Sequence, residues 1–251
     1  MLLQIHRFKK LLPSLNHLKM SIDIGGMRQP YKNAQEVFLE EHLSSKEPIG
    51  QFKAWFEEAC NCKGIIEANA MCLATATRDG FPSARMVLLK SYGPEGFKFY
   101  TNYGSRKGKE LMENPRASLC FYWEPLQRSV RIEGKVEKLS AEESKEYFQS
   151  RPRSSQLGAN VSEQSKVISS RDVLTTKEVE LATMFADTSI PVPKPEQWGG
   201  FVVVPHAVEF WQGQSNRLHD RIRFRRPSST EQLSDCTKVG EDGWVYERLA
   251  P

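Results

Sequence analysis

The pattern of apolar and polar residues changes its period near residue 71. Upstream, apolar residues recur three and four positions apart between Ile49 and Ala59, which predicts a helix over 48–59, and a further helix is predicted over 34–43. Downstream, short segments rich in Val, Leu, Phe, Tyr and Thr alternate with turn residues. This spacing predicts β-strands at 71–77, 83–90, 96–102, 117–123, 129–139, 200–204, 207–212, 221–225 and 244–249.

Helices interrupt the predicted strands at three places. Ser105 is a candidate N-cap for a short basic helix, and Ser140 with Glu143 forms the pattern of a capping box ahead of a helix that ends near residue 150. A third helix is predicted over 175–186, after a loop or broken helix over 151–170. Many short strands joined by tight turns indicate an antiparallel barrel or sandwich, so the predicted class is mainly β with flanking helices (α+β).

Composition excludes several classes of protein. With 251 residues, 39% of them hydrophobic, the chain is long and apolar enough to bury a core. The net charge of +4 is well short of the dense basic stripe of a nucleic-acid binder, and it suits small anionic ligands. Five cysteines without paired C-x-x-C spacing indicate neither a disulfide framework nor a zinc site, so no metal is predicted and a reducing compartment is expected.

The first residues differ from the rest of the chain. Four basic residues and no acid occur among the leucines of residues 1–20. This is typical of a disordered basic tail, with a mitochondrial presequence as the alternative. No apolar run approaches the roughly 20 residues that a membrane-spanning helix needs, so we expect a soluble, cytoplasmic protein. The expected organisation is a tail over 1–26 and a single domain over 27–251.

Three polar constellations are candidates for binding an anion. The first is the strand predicted over 83–90, whose centre is apolar but which carries Arg85 and Lys90. Because these positions differ by an odd number, their side chains face opposite sides of a regular strand and can serve two different anions. Charges that blunt a solvated edge are the alternative for both residues.

The second constellation is the segment 100–109, in which a predicted strand ends in a Gly turn and a helix begins. Such a turn brings together free backbone N–H groups at a helix N-terminus, the Ser105 hydroxyl and the cations Arg106 and Lys107, which is the outline of a phosphate site. The segment lacks the Walker spacing, so a nucleoside triphosphate is not implied. A solvated basic helix is the alternative.

The third constellation lies at the end of the helix predicted from Ser140. Tyr147 and Arg151 are four residues apart and share one helix face, and Ser155 is within reach from the loop beyond. Phenol, guanidinium and hydroxyl donors that converge in this way suit a phosphate monoester.

The most specific stretch is 208–221, with the sequence VEFWQGQSNRLHDR. It predicts a short strand, a Gly-containing bend and a polar cluster in which Arg217, His219 and Arg221 occupy alternate positions. In an extended chain these three basic side chains would point to one face. A solvated edge strand is the alternative.

This stretch resembles the C-terminal signature of the pyridoxine (pyridoxamine) 5'-phosphate oxidases. In that signature an aliphatic residue, Glu, an aromatic residue, Trp and Gln precede four variable residues and Arg-Leu-His-Asp-Arg, and every specified position is met here. The resemblance covers residues 27–251, because further segments look like those of the same family: S-A-R-M-x-L-L-K, F-x-T-N-x-x-S-R-K-G-K, F-Y-W-E-P-L, S-R-P-x-S-S-Q-x-G-A and W-G-G.

The resemblance implies an FMN-binding split β-barrel, a homodimer with the flavin at the subunit interface, and a C-terminal region that serves dimerisation and substrate binding. Arg217 and His219 are implied as the catalytic pair. The implied FMN contacts are Arg85, Met86, Val87, Leu88, Tyr100, Thr101, Arg106, Lys107, Ser129, Gln164, Ser165, Trp211 and Arg221. The implied contacts to the pyridoxal phosphate moiety are Lys90, Tyr147, Arg151, Ser155, Arg217, Leu218 and His219, with Arg28 and Tyr31 as a lid.

One departure from the family pattern concerns Ser129. Where the family usually has Arg-Gln-Val-Arg, with the Gln near the flavin, this chain has Ser129 within the segment 128–131. A Gln side chain is longer than Ser and offers an amide donor, so the flavin contact at this position is expected to differ.

The activity implied by the resemblance is the oxidation of pyridoxine 5'-phosphate or pyridoxamine 5'-phosphate to pyridoxal 5'-phosphate, with O2 reduced to H2O2, in vitamin B6 metabolism. No side chain can accept the hydride that leaves the C4' carbon, so the flavin is expected to accept it. A non-catalytic flavin- or pyridoxal phosphate-binding carrier of the same fold is the alternative. An RNA-binding barrel is disfavoured because the charge excess is small.

Overall fold

The computed structural model describes residues 25–27, 31 and 37–251, and one compact unit runs from Tyr31 to Pro251. The described residues include five α-helices, α1 (Pro48–Asn61), α2 (Arg106–Glu113), α3 (Ala141–Ser150), α4 (Arg153–Val161) and α5 (Asp172–Met184). They also include ten strands, β1 (Ala70–Ala76), β2 (Pro82–Leu88), β3 (Ser91–Gly93), β4 (Gly96–Asn102), β5 (Arg116–Trp123), β6 (Arg128–Lys138), β7 (Trp198–Gln212), β8 (Asp220–Arg225), β9 (Thr237–Val239) and β10 (Val245–Arg248).

The strands form one antiparallel sheet that branches at β7. The main path is β2-β1-β5-β6-β7-β8-β10-β9, and β4 pairs with both β3 and β7. On one side of β7, residues 198–203 pair with β4 and residues 207–212 pair with β8, while β6 runs along its other side. Because the two halves of β7 have different partners, the sheet divides there into two lobes, with the mainly β architecture that the sequence predicts.

The sequence predicted two strands over 200–204 and 207–212, but β7 is continuous through Pro205. The register between β6 and β7 shifts between Glu133 and Gly134, and neither β4 nor β8 pairs with β7 at residue 205. The proline therefore lies at an irregular point of the sheet, where a missing N–H group is tolerated. Gly134 is required for the close approach of the strands, because a Cβ atom at this position would lie 2.3 Å from the Val204 carbonyl oxygen.

The core lies between α1 and the inner face of the sheet. The helix begins after Glu47, whose carboxylate accepts a hydrogen bond of 2.7 Å from the Ile49 N–H group. Phe52 is fully buried and contacts Phe97 with ring centroids 5.0 Å apart, and Trp55 contacts Phe210 at 5.3 Å. The apolar residues that predict this helix therefore pack into the core, and each such ring contributes about 1.5–3 kcal/mol on burial.

The predicted caps of the next two helices are present. The Ser105 hydroxyl accepts from the Gly108 N–H group at 3.2 Å, and the Ser140 hydroxyl accepts from the Glu143 N–H group at 3.0 Å. The carboxylate of Glu143 does not follow the capping-box prediction, because it bonds the Lys98 ammonium at 2.9 Å instead. Each cap satisfies a backbone N–H group of the first helical turn.

Two predicted elements differ in the structure. Of the helix predicted over 34–43, residues 34–36 lie outside the described residues, and only Glu40–His42 form a short 3-10 turn. Tertiary contact overrides helix propensity here, because the Phe38 N–H group donates to the Asp220 carboxylate at 2.9 Å. The broken helix or loop over 151–170 contains the regular helix α4. Among the described residues, no helix is long and apolar enough to cross a membrane.

Candidate functional site

A cleft of about 710 Å³ lies beside β2 and β4, with α2, α3 and α4 contributing to its walls. It brings together residues from all three constellations that the sequence singled out as anion sites. None of the described residues that line it is an aspartate or a glutamate. The predicted site residues that line the cleft are Met86, Val87, Leu88, Lys90, Tyr100, Thr101, Lys107, Tyr147, Arg151, Ser155 and Gln164.

Arg151 is the most constrained cation of the cleft. Its guanidinium carbon lies 4.8 Å from the ring centroid of Trp198 and 5.7 Å from that of Phe148. Its Nη1 atom is buried and has no hydrogen-bond partner among the described residues. Burial lowers the pKa of Arg151, since the charged form loses contact with water. An anion in the cleft would supply both the missing acceptor and the missing countercharge.

A stack of three aromatic rings forms one wall of the cleft. Tyr100 lies 4.0 Å from Tyr147 and 5.4 Å from Trp198 between ring centroids. Burial raises the pKa of Tyr100 to about 12, so its hydroxyl remains protonated. Trp198 was not among the predicted site residues, although the W-G-G segment was noted. The next residue, Gly199, has no room for a side chain, because a Cβ atom there would lie 2.1 Å from the Tyr103 hydroxyl.

Lys107 is buried at the first turn of α2. Its ammonium group donates to the Thr101 hydroxyl at 3.1 Å and to the Gln164 amide oxygen at 2.8 Å. Burial, and secondarily the charge of Arg85, lowers the pKa of Lys107. These two bonds use two of the three ammonium N–H groups, so one donor remains for an anion at the cleft.

A buried carboxylate that the sequence prediction missed organises this end of α2. Glu110 accepts hydrogen bonds from the Thr75 hydroxyl, from Arg85 at 3.3 Å and from Arg106 at 2.8 Å. Burial alone would raise the pKa of Glu110, but the hydrogen bonds from Thr75 and Arg106 outweigh it and hold the pKa below its usual range. The signal in the sequence is the spacing of four residues from Arg106, which places both side chains on one helix face.

Arg85 and Lys90 have different surroundings, but not for the reason that the sequence suggested. Strand β2 ends at Leu88, so the alternation argument does not reach Lys90, which lines the cleft. The terminal nitrogens of Arg85 donate to the Ser83 hydroxyl at 2.6 Å and to the Leu73 carbonyl oxygen at 3.3 Å, in addition to Thr75 and Glu110. Arg85 is therefore largely satisfied by the protein itself.

Arg106 and Ser165 lie at the N-terminus of α2. The Arg106 side chain bonds Glu110 but remains 61% exposed. The backbone N–H group of Arg106 donates to the Ser165 hydroxyl at 3.2 Å. The predicted residues of segments 105–107 and 164–165 are thus brought together by direct contacts.

Three further predicted residues occupy a separate place, on the outer face of the sheet. Ser129, Trp211 and Arg221 are direct neighbours across β6, β7 and β8. Ser129 and Trp211 line a depression of about 340 Å³, and none of the three is among the residues that line the cleft. Arg221 bonds the Glu209 carboxylate at 2.7 Å and 3.2 Å, which raises the pKa of Arg221.

The basic triplet after β7 does not share one extended face, so that prediction is wrong. Arg217 has a φ of 65°, in the left-handed region, and β8 begins only at Asp220. The bend is held by the Gln214 amide, which donates to the Asp220 carboxylate at 2.9 Å. Only Arg221 of the triplet belongs to a regular strand, and Leu218 is exposed.

His219 lies between two aromatic rings, 4.9 Å from Trp211 and 5.8 Å from Tyr31 between centroids. Its Nδ1 atom accepts a hydrogen bond of 3.0 Å from the backbone N–H group of Gln214. A backbone N–H group can only donate, so the neutral ring carries its proton on Nε2. Burial and then the charge of Arg217 lower the pKa of His219. Arg28, the other predicted lid residue, lies outside the described residues.

Comparison with known proteins identifies the family of the chain. The family described as pyridoxamine 5'-phosphate oxidase matches residues 57–184, and the region described as the pyridoxine 5'-phosphate oxidase C-terminal dimerisation region matches residues 198–251. A relative from Bombyx mori, named pyridoxine/pyridoxamine 5'-phosphate oxidase, is 58% identical over 96% of this chain and 95% of its own length.

Solved structures share the fold. PhzG from Burkholderia lata, in complex with tetrahydrophenazine-1-carboxylic acid, has a TM-score of 0.74 at 29% identity and covers 86% of this chain and 98% of its own. A pyridoxamine 5'-phosphate oxidase-related, FMN binding protein from Nostoc punctiforme has a TM-score of 0.59 at 15% identity, over 80% of this chain and 97% of its own. The predicted split-barrel class is confirmed, and the chain belongs to the pyridoxamine 5'-phosphate oxidase family.

Proposed function

We propose that this chain oxidises pyridoxine 5'-phosphate and pyridoxamine 5'-phosphate to pyridoxal 5'-phosphate, with FMN as its cofactor and O2 reduced to H2O2. The observation that carries the proposal is the buried Nη1 atom of Arg151, which has no hydrogen-bond partner among the described residues of a cleft that they line without a carboxylate. A buried donor without an acceptor costs about 1–3 kcal/mol. A bound anion removes that cost.

The substrate phosphate is assigned to the side of the cleft that Arg151 shares with Lys90, Tyr147 and Ser155. Guanidinium, ammonium, phenol and hydroxyl groups are all donors, and a phosphate monoester offers the acceptor oxygens that match them. Binding energy at the phosphate, remote from the reacting carbon, then orients C4' for the reaction.

The residues at the N-terminus of α2 fit the phosphate of FMN. Arg106 and Lys107 would hold it, together with the backbone N–H groups of the first turn, and Thr101 and Gln164 hold Lys107 in place. The backbone and side chains of residues 86–88 would line the flavin ring. When bound, FMN supplies the hydride acceptor that no side chain offers.

His219 and Arg217 are assigned to the substrate ring. Because Nδ1 of His219 accepts from the Gln214 N–H group, the neutral side chain offers an N–H donor at Nε2 rather than a base at that atom. We assign His219 to donating a hydrogen bond to a ring substituent of the substrate. Any proton removal from the alcohol or amine is left to another acceptor.

The two separate sets of predicted flavin residues support a site built from two chains. We propose a homodimer in which the cleft of one subunit meets Trp211 and Arg221 of the other. Mixing an Arg106→Ala variant with an Arg221→Ala variant then creates mixed dimers with one intact site each, about a quarter of wild-type activity after random exchange. This assembly would be contradicted if the mixture recovered no activity, or if the active enzyme sedimented as a monomer.

The experiment that tests the function is direct. The purified protein is expected to be yellow, to consume oxygen when given pyridoxine 5'-phosphate, and to release an equal amount of pyridoxal 5'-phosphate. A carrier of the same fold would bind the flavin or the product and consume no oxygen. The expected effects of Arg221→Ala and Arg217→Ala separate the two ligands: the former weakens FMN retention, and the latter stays yellow but loses rate or raises KM.

A further inference from the structure

We propose that Cys72 and Cys120 are an oxidisable thiol pair, which hydrogen peroxide converts into a cross-strand disulfide. The two residues are direct partners in the antiparallel pairing of β1 with β5. Direct partners in such a pair have Cα atoms roughly 4.5–5.5 Å apart and point to the same face. Disulfides span Cα distances of about 4.4–6.8 Å, so the bond fits this register.

Both thiols lie on the outer face of the sheet rather than in the core. Their neighbours along the strands, Leu73 on β1 and Leu119 on β5, are fully buried and point inward. Cys72 and Cys120 alternate with them, are half-buried, and are free thiols. The pair is thus shielded enough to be held in place and open enough for a small oxidant to reach.

The pair lies beside residues that the proposed function assigns to the flavin. Cys120 lines the outer-face depression together with Ser129 and Trp211, and its Sγ atom is 3.6 Å from the Ser129 hydroxyl. The inference rests on the proposed function for its oxidant, because H2O2 is the second product of the oxidase reaction. Peroxide would therefore be released on the face that carries the thiols.

The oxidation balances without a further reactant. One thiol loses its proton and attacks a peroxide oxygen as the thiolate: an S–O bond forms, the O–O bond breaks, and the departing hydroxide takes up the released proton to leave as water. The second thiol attacks the resulting sulfenic sulfur, an S–S bond forms, and the S–O bond breaks to release a second water. Two thiols lose two electrons in total, and one peroxide is reduced to two waters.

The remaining cysteines provide internal controls. Cys60 and Cys236 are exposed, and Cys62 follows the end of α1, so none of the three has a cysteine as its partner across a strand pair. Exposed thiols should react with peroxide too, but they should give sulfenic or higher acids or mixed products instead of one defined cross-link.

The test is a non-reducing peptide map of the flavinated protein. After added H2O2, a peptide that joins Cys72 to Cys120 is expected in most chains; it should be absent from Cys120→Ser and unchanged in Cys236→Ser. If Cys60 or Cys236 is oxidised but no Cys72–Cys120 cross-link forms, the proposed disulfide is refuted. Unchanged melting temperatures of both variants exclude misfolding as the cause.

A second arm separates this inference from the proposed function. During turnover with pyridoxine 5'-phosphate, the same cross-link is expected to accumulate and to disappear when catalase is present. Cross-linking by added peroxide without any oxygen uptake from the substrate would sustain the thiol pair and refute the oxidase activity. Oxygen uptake without cross-linking during turnover would refute the product as the oxidant.

Discussion

The cleft and the outer face of the sheet carry similar numbers of cations but use them in opposite ways. In the cleft, Lys90, Lys107 and Arg151 meet no carboxylate among the lining residues. On the outer face, four arginines are bonded to glutamates: Arg131 and Arg221 to Glu209, Arg223 to Glu247, and Arg225 to Glu231 and Glu247.

A cation marks an anion site only when its charge is not already neutralised. The outer-face network is held strongly, since the hydrogen bonds from Arg225 and Arg223 lower the pKa of Glu247 to about 2. A face whose charges are paired can be buried against another chain without leaving isolated charges in the interface. A cleft whose charges are unpaired needs a ligand to complete it.

The largest effect is expected from Arg151→Ala. The variant removes the buried donor that has no partner among the described residues, and hydrogen bonds to a charged partner contribute about 1.5–3 kcal/mol. We expect kcat/KM for pyridoxine 5'-phosphate to fall about 100-fold, which corresponds to roughly 2.7 kcal/mol. FMN retention should not change, and steady-state kinetics with a flavin absorbance measurement checks both.

The matched control for Arg151 is Arg225→Ala, an arginine of the outer face that is fully occupied by Glu231 and Glu247. It should change kcat/KM by less than about threefold, because its charge does not meet the substrate. An equal loss of kcat/KM in both variants would show that the paired arginines of the outer face matter to the substrate as much as the unpaired cations of the cleft.

The next effect is expected from Glu110→Gln, which removes the carboxylate that holds Arg85 and Arg106. We expect the Kd for FMN to rise about tenfold, or roughly 1.4 kcal/mol. Riboflavin, which lacks the phosphate, should bind the variant and the wild type equally. A matched loss for both flavins in titrations of the apoprotein would mean that Glu110 supports the fold alone, and the exposed Glu113→Gln on the same helix is the control.

On the outer face, His219 is expected to act as a neutral hydrogen-bond donor to the substrate. Its effect on kcat/KM should be smaller than that of Glu110 on FMN binding and should depend on pH. Its pKa is lowered from 6.5, because burial and Arg217 disfavour the protonated ring. The unfolded chain takes up the proton first as the pH falls, so stability from the Gln214 bond is present above pH 6.5 and is lost below it.

We therefore expect that protonation of His219 leaves kcat/KM unchanged between pH 8 and about 6.5 and lowers it only at more acidic pH. His219→Gln, which retains a donor, should remove that acidic limb of the profile. A pH–rate profile of the two proteins is the measurement, and an inflection near pH 7 that vanishes in the variant would contradict the lowered pKa.

The smallest effect is expected from Ser129→Gln. The Ser129 hydroxyl already donates to the Phe121 carbonyl oxygen at 2.9 Å, so it leaves no orphaned group behind. A longer amide would add at most one hydrogen bond to the flavin, and we expect FMN to bind no more than about tenfold tighter with turnover nearly unchanged. A gain of a hundredfold would show that the outer face limits cofactor binding more than the cleft does.

Local signals predicted much of the fold and the cleft. Strand β4 and the cap at Ser105 follow from alternation and from a hydroxyl ahead of a helix, both of which depend on nearby residues only. A Gly-containing bend was predicted after β7, but its continuation through Arg217 was not, because that depends on the Gln214–Asp220 bond and on the left-handed backbone of Arg217.

The same limit applies to the site. Most of the residues that line the cleft were found through motifs in the segments that contain them. Glu110 and Trp198 were missed because their importance comes from burial and from the cations they contact, which spacing along the chain does not show. Whether a given arginine is paired also depends on strand register, as it does for Arg221 and Glu209.

Strand β7 acts as a spacer of defined length between the two regions. Trp198 of the cleft begins it and Trp211 of the outer face lies near its end. The path between them is 13 residues, or roughly 43 Å along the strand at about 3.3 Å per residue. In the proposed dimer, the length of β7 sets the distance between the two flavin sites. A change in the length or bend of this strand would therefore misalign both sites at once.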